Sequence, residues 1–442
     1  MSSSAPIKGR RSSEIAASIE GSVRTGKLRA GDRLPSVRDL ASSLGVSPAT
    51  VAAAYKRLQD QALLVGRGRQ GTRVTERPPL AVPPPAAVPP GVRNLANGNP
   101  DPDLLPPLRP ILDRIDASHR MYGEPVNEPL LVEVARSLFE DDGIPAEHVT
   151  IVGGALDGIE RVLTAQPDLR PGDKVAMEDP CFPGVMDLIP ALRLVPEPVG
   201  VDDDGPMPVD VGRALKGGAR ALILTPRAQS PTGAVLDERR ARDLRRILRA
   251  NPEVLVIEDD HAGPVSGSAA VTVVGSDLPR WAVIRATGKS LGPDLRLGLM
   301  SGDATTVARV EGRRSVGAGW VSHILQRIVL GLLTDRKTQT LLRRAADTYA
   351  ARRTAMIEAL AAWGIRARGR SGLNVWVPVR DEHRTVQTLF DAGFAIRSGE
   401  RFRIASPSGV RISIATVLPD EAEAIASLVA RSLELEGRTR PA

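Results

Sequence analysis

The sequence predicts an α/β chain in two parts, a small N-terminal module of helices closed by a hairpin and a large domain on a mainly parallel sheet. Three observations predict it. Helical apolar stripes fill the stretch before residue 60, seven prolines crowd residues 76–93, and beyond them short apolar runs alternate with helical ones. The expected boundaries are 1–75 for the module, 76–93 for a linker and 94–442 for the large domain.

Ile15, Ile19 and Val23 recur at helical spacing, and Gly26 closes that segment. Ser36 is placed to cap a second helix, with Asp39 three residues on in a near capping box. Val37, Leu40, Ala41 and Leu44 line one face of it, and Gly45 ends it. Ser47 and Pro48 supply the next cap and first-turn proline, followed by the stripe Val51, Ala54, Tyr55 and Leu58. Gly66, Gly68 and Gly71 mark the bends of a hairpin. The proline-rich stretch has no core-forming pattern and favours polyproline II, a semi-rigid spacer of about 55 Å at roughly 3.1 Å per residue.

In the large domain Ala221–Thr225 reads as a buried strand, Asp237–Ala250 as a helix and Glu253–Ile257 as the next buried strand. Residues 320–363 read as helical. Leu373–Val379 and a helix near 419–435 form a smaller C-terminal α/β unit.

The net charge of +7 is unevenly divided. Residues 1–75 hold 13 Lys/Arg against 5 Asp/Glu, a net of +8, so the other 367 residues sum to −1. A small basic module attached to a near-neutral domain is expected to touch a polyanion. Cys181 is the only cysteine, which excludes an intramolecular disulfide and a cysteine zinc cluster, and no metal site is expected. No apolar run approaches a membrane span and the N-terminus lacks an apolar signal region, so the expected setting is cytoplasmic, with no membrane partner.

Two short helices joined at Gly45-Val46 form a helix-turn-helix, whose second helix would lie in a DNA major groove. LeuProSerValArgAspLeuAla (34–41), LeuGlyValSer (44–47), ThrValAlaAlaAlaTyrLysArgLeu (50–58) and GlyArgGlyArgGlnGlyThr (66–72) resemble the GntR-type winged helix. The resemblance implies contacts to double-stranded operator DNA from Arg38, from Ser47 and Thr50, and from a wing tip of Arg67, Gly68 and Arg69. Pro48 stands where that family often has arginine, so the target sequence does not carry over.

Four segments of the large domain need each other. AlaThrGlyLysSerLeuGlyProAspLeuArgLeuGly (286–298) sets Lys289 seven residues before Arg296. GluAspAsp (258–260) and ThrProArgAlaGlnSerProThrGly (225–233) end strands, and GlyGlyAlaLeuAspGlyIle (153–159) opens a helix. Ligands of open α/β sheets bind beyond the carboxyl ends of the strands, where these segments fall. A lysine amine can join an aldehyde, a carboxylate can keep a pyridine nitrogen protonated, and a glycine-rich helix start with an arginine can hold a phosphate. Pyridoxal 5'-phosphate carries all three groups.

These motifs resemble fold-type-I aminotransferases over about residues 94–436, and the fused order resembles the MocR-type regulators of the GntR superfamily. The resemblance implies a Schiff base on Lys289, Asp259 at the pyridine nitrogen, and Gly154, Ala155 and Arg296 at the phosphate. It further implies Phe182 stacked on the ring, Tyr122 reaching the partner subunit of a homodimer, and Arg411 on an effector or substrate carboxylate. His261 stands where the family usually has tyrosine, Ser230 where many relatives have asparagine, and Ala286 and Gly288 where many have serine. His261 and Ser230 keep places beside the cofactor, while the altered set suggests retained binding with poorer transaminase chemistry.

The expected function is a DNA-binding regulator that couples cofactor, amine or vitamer status to operator binding, in vitamin B6 or amino-acid metabolism. Two rivals stand beside it: an active aminotransferase with an accessory DNA-binding domain, and a DNA-binding protein whose large domain only dimerises.

Overall fold

The N-terminal stripes become three helices, α1 (Ser12–Arg24), α2 (Val37–Leu44) and α3 (Pro48–Asp60), followed by strands β1 (Leu64–Gly66) and β2 (Thr72–Val74). The computed structural model describes residues 7–24, 27–60, 63–66, 71–75 and 88–438. Gly26, the wing-tip residues Arg67, Gly68 and Arg69, and linker residues 76–87 lie outside the described residues. The chain forms two compact units, and each is taken by itself.

In the N-terminal unit the local signals act as read. Ser36 Oγ accepts the Asp39 backbone N–H at 3.2 Å and donates to its carboxylate at 2.7 Å. Gly45 ends α2 at φ +64°, a left-handed position that a side chain would strain. Ile15, Ile19, Val51, Ala54 and Leu58 are fully buried in one core with Leu40, Leu64 and Val74. The antiparallel pair β1–β2 closes that core, with Leu64 opposite Val74. Tyr55 adds a polar tie by donating its hydroxyl to the Pro35 carbonyl at 2.8 Å.

The larger unit starts with the two-residue strand β3 (Arg93–Asn94). Its strands then run β4 (Val149–Val152), β5 (Lys174–Asp179), β6 (Val195–Asp202), β7 (Gly205–Pro206), β8 (Ala219–Leu224), β9 (Leu255–Asp260), β10 (Trp281–Ala286) and β11 (Gly298–Gly302). They make an eight-stranded sheet in the order β4-β11-β10-β9-β8-β5-β6-β7. Neighbours β5, β8, β9 and β10 are parallel, while β11 runs antiparallel to β10 and to β4. These central strands are buried on both faces, which explains the apolar runs 221–224, 255–257 and 281–284. β12 (Asn374–Pro378), β14 (Arg397–Ser398) and β15 (Gly409–Ser413) form a smaller sheet, and β13 (Phe394–Ala395) pairs with β3.

Strand and helix ends differ modestly from the sequence reading. β9 runs on to Asp260 through three acidic residues, because each finds its own surroundings in the folded unit. The helical stretch 320–363 is two helices, His323–Thr334 and Arg336–Ala362. Asp335 separates them in extended backbone and caps the second by accepting the Thr338 N–H at 2.9 Å. Among the described residues no helix is long and apolar enough to cross a membrane.

Leu58 tests the N-terminal core. Leu58→Ala is expected to cost that unit about 2–5 kcal/mol. Hydrogen exchange on the full chain should show faster exchange across α1–α3 and no change in the large sheet.

Candidate functional site

Register along the parallel strands brings the site together. Leu224 lies opposite Glu258 and Ile284 opposite Asp259, so β8, β9 and β10 end at one level. The loops leaving them carry Ser230, His261 and Lys289 into a cavity of about 210 Å³. Gly154, Ala155, Phe182, Asp259, Arg296 and Arg411 line the same cavity.

Three successive acids at the end of β9 meet different fates, because side chains alternate across a strand. Asp260 is held by Arg227 through two contacts of 2.8 Å and by Arg285 through one of 2.7 Å. Arg285 also binds Asp142 at 2.6 Å. Burial alone would raise the Asp260 carboxyl, but the two guanidiniums hold it well below the usual carboxylate range. Glu258 points away and accepts from Thr272 and the Val273 N–H, and burial lifts its pKa to about 7. Asp259 alone faces the cavity. Its Oδ1 is buried with no hydrogen-bond partner, and burial, then the neighbouring Asp260, push its pKa up to about 7.

Lys289 follows β10 by three residues and donates from Nζ to the Gly98 carbonyl at 2.6 Å. Its pKa falls to about 8 through burial and the positive charge of Arg411, with Asp259 pulling the other way. The His261 imidazole is pushed down to about 4 by burial and by Lys289, so it stands neutral at physiological pH. Arg411 is buried, donates to the Ala96 carbonyl, and lies 4.9 Å over the Phe402 ring. Burial and Arg397 lower it to about 10, and its Nε has no partner.

The helix Ala155–Thr164 aims its N-terminus into the cavity from Gly154, whose φ of +99° is open to glycine. Gly158 lets that helix sit against β10, since a Cβ there would come within 2.9 Å of Ile284. Arg296 follows the turn Pro293–Leu295 at φ +45° and is exposed at the cavity mouth, with Nη2 3.8 Å from where a Gly154 Cβ would be. Unpaired helix N–H groups beside a guanidinium make an anion cradle.

In the N-terminal unit Arg38 and Ser47 are exposed and Thr50 is half-buried. The Ser47 and Thr50 hydroxyls lie 2.8 Å apart, and Ser47 Oγ accepts the Thr50 N–H at 3.2 Å. Both are thus engaged in capping α3 before any DNA is met.

Two family models match the chain. Residues 11–74 match the gntR family of bacterial regulatory proteins, and residues 94–429 match aminotransferase class I and II. The vitamin B6 salvage pathway transcriptional repressor PtsJ of Salmonella typhimurium is 41% identical over 436 residues, covering 97% of this chain and 99% of that protein. The chain belongs to the MocR-type regulators. It is a DNA-binding transcription regulator with an aminotransferase-like domain. Solved structures bear out the fold of that domain. Pyrococcus horikoshii kynurenine aminotransferase matches at TM-score 0.70 and 23% identity, over 78% of this chain and 91% of its own. The α-aminoadipate aminotransferase LysN of Thermus thermophilus, complexed with N-(5'-phosphopyridoxyl)-L-leucine, matches at 0.68 and 20%, over 79% and 94%.

Of the residues that the MocR resemblance singles out in the large domain, Tyr122 does not join the others. It is 90% exposed, with its ring centroid 5.5 Å from that of Trp320 in an edge-to-face contact, and does not line the cavity. Asn97, Gly98 and Asn374 line the cavity and were not singled out as site residues by sequence. AsnGlyAsnPro (97–100) is a plain turn signal, but Asn374 inside LeuAsnValTrpVal (373–377) is a polar residue breaking an apolar strand, which is a usable clue.

The lowered Lys289 pKa has a direct consequence. Its neutral amine becomes abundant above about pH 8 rather than near 10.5. Reductive methylation by formaldehyde, read at Lys289 by mass spectrometry, should rise with pH to a midpoint near 8. Arg411→Met removes a repelling cation and should move that midpoint upward. A wild-type midpoint at the ordinary lysine value would refute the assigned environment.

Proposed function

We propose that this regulator binds pyridoxal 5'-phosphate in the cavity around Lys289 and couples its occupancy, or that of a small amine or vitamer, to operator binding. The donor set fits the group. Asp259 Oδ1 is an orphaned buried oxygen that a protonated ring nitrogen would satisfy. That contact would return the carboxyl toward its ionised form, since a cation lowers a carboxyl pKa. Gly154, Ala155 and Arg296 would hold the phosphate, Phe182 would cover the ring, and Ser230 and the neutral His261 offer contacts to its oxygen. Bound there, the cofactor supplies an aldehyde carbon and an electron-withdrawing ring, and Lys289 is the amine for that carbon.

One observation favours a sensor. Lys289 and Arg411, both cavity cations, donate to the carbonyls of Gly98 and Ala96. That segment follows directly on β3, whose own N-terminal neighbours lead back to the linker. Leu95 anchors it by bonding to Ala395 and Ser413 at 2.8 and 2.9 Å. Lys289 cannot keep its ammonium on Gly98 and also commit its nitrogen to an aldehyde. Ligand capture therefore frees one of the two bonds on the chain segment next to the DNA-binding module's tether.

A homodimer in the cytoplasm completes the proposal. Met121, Tyr122, Val316 and Ile324 are 65%, 90%, 85% and 49% exposed, apolar side chains available to a subunit interface. A twofold dimer would cover them, bring Tyr122 to a partner's cavity and present two DNA-reading modules, with wing residues Arg67, Gly68 and Arg69 beside Arg38, Ser47 and Thr50.

Two expectations follow from the cofactor site. Purified protein with pyridoxal 5'-phosphate should gain a near-visible absorption band, lost in Lys289→Ala, and borohydride should fix the cofactor to Lys289. Arg296→Ala should weaken the phosphorylated cofactor by about 1.5 kcal/mol, the low end for a charged hydrogen bond because this side chain is exposed. Pyridoxal without phosphate should be indifferent to that change, and equal sensitivity would place Arg296 elsewhere.

Titration of operator DNA against apo and holo protein at one salt concentration tests the coupling. An affinity change of about 5–100-fold is expected. Arg38→Ala should weaken every duplex and flatten the salt slope by about one. Identical apo and holo affinity and footprint would defeat the sensor reading and bring forward the aminotransferase, checked by release of keto acid.

A further inference from the structure

The short sheet beneath the cavity has two unlike faces. In the antiparallel pair β12–β15, Trp376 lies opposite Arg411 and Asn374 opposite Ser413. Val375, Val377, Val410 and Ile412 occupy the alternate positions and are wholly buried in the hydrophobic core. Asn374 and Arg411 therefore share the other face as diagonal neighbours, about 7–8 Å apart for such positions, and both line the cavity.

Asn374 is more than nine-tenths buried, and its Oδ1 has no hydrogen-bond partner. A buried amide left unpaired is costly, and none of the cofactor roles above uses it. Arg411 beside it also keeps a buried Nε without a partner. A guanidinium calls for an anion, and an amide oxygen calls for an N–H or O–H donor. One ligand bearing a carboxylate and a nearby donor would satisfy both.

We propose that Asn374 is a specificity-determining residue of this cavity, selecting amino acids whose side chain carries a hydrogen-bond donor close to the α-carbon. The proposal rests on the reading of the cavity as a pyridoxal-phosphate site. In that reading the ligand's amine faces the cofactor carbon beside Lys289 and its carboxylate faces Arg411. The donor for Asn374 must then come from the side chain, a hydroxyl or an amide one or two bonds beyond the α-carbon. A ligand of the same shape without that donor leaves Oδ1 buried and unpaired, and sites built to bond a hydroxyl reject such analogues strongly.

The probes are shape-matched pairs, L-threonine with L-valine and L-serine with L-alanine, titrated into the holo full-length protein and followed by the cofactor spectrum. Wild type should bind threonine and serine at least about tenfold tighter than their partners, a factor worth about 1.4 kcal/mol. Asn374→Leu should abolish or reverse that preference while leaving the affinity for pyridoxal 5'-phosphate within about threefold. Asn374→Ala serves the same purpose with less bulk if the leucine variant folds poorly. Equal binding within each pair by wild type, or a preference that survives in both variants, overturns the proposal. So does the failure of all four amino acids to perturb a holo protein. A variant that loses cofactor affinity by more than tenfold would give Asn374 to the cofactor instead. Wild type that takes up no cofactor defeats the underlying reading, and this inference falls with it.

Discussion

The buried ion network at the end of β9 is the constraint on which the cavity depends. Asp260 is locked between Arg227 and Arg285, and Arg285 reaches on to Asp142 at the end of the helix Pro129–Asp141. These contacts tie the ends of β8, β9 and β10 to a covering helix. Buried ion pairs add little net stability against apolar packing, yet removing one partner leaves an uncompensated charge. Their structural effect here is to hold the strand end through Asp260. With Asp260 committed to one side, its neighbour Asp259 must face the other, into the cavity. Asp260 also raises the Asp259 pKa by its negative charge. The network thus both aims that carboxyl and makes it ready for a positive partner.

The opposite wall is governed by cations. Arg411 and Lys289 repel each other, which helps lower both the lysine pKa and the cost of giving up its proton. Both are quieted by carbonyl oxygens of the segment 96–98, since backbone carbonyls are the acceptors within their reach. Gly98 is needed for this closeness. Its φ is +69°, and a Cβ there would come within 3.2 Å of the Arg411 guanidinium. The same cavity therefore has an acidic wall waiting for a cation and a basic wall occupied by backbone. That asymmetry suits a site in which a ligand replaces a piece of the chain.

Much of this was legible in sequence where the cause is local. Ser36 and Gly45 cap their helix because a hydroxyl or a left-handed glycine acts within four residues of itself. The alternation of apolar strands and helices gave the parallel sheet, and nine of the ten large-domain positions that the resemblance singles out fall at one cavity. What escaped depends on distant partners. β9 continues through acidic residues because Arg227, Arg285 and Thr272 wait for them from other elements. Asn374 reads as a blemish in an apolar strand until β15 brings Arg411 alongside. Tyr122 has no local reason for its position, and a single chain leaves it facing outward.

Magnitudes decide whether so small a rearrangement could regulate anything. A hydrogen bond to a charged group contributes about 1.5–3 kcal/mol net, less where water competes. Allosteric couplings are typically about 1–3 kcal/mol. Loss of the single bond from Lys289 to Gly98 is therefore of the right size to carry a signal without unfolding anything. Arg411 would still hold Ala96, and β3 would still pair with β13, so the segment would shift between two anchored arrangements and not come loose. In the proposed coupling the chemistry at the cavity need not be fast, or even turn over. That coupling asks only that the lysine nitrogen be held in one of two places.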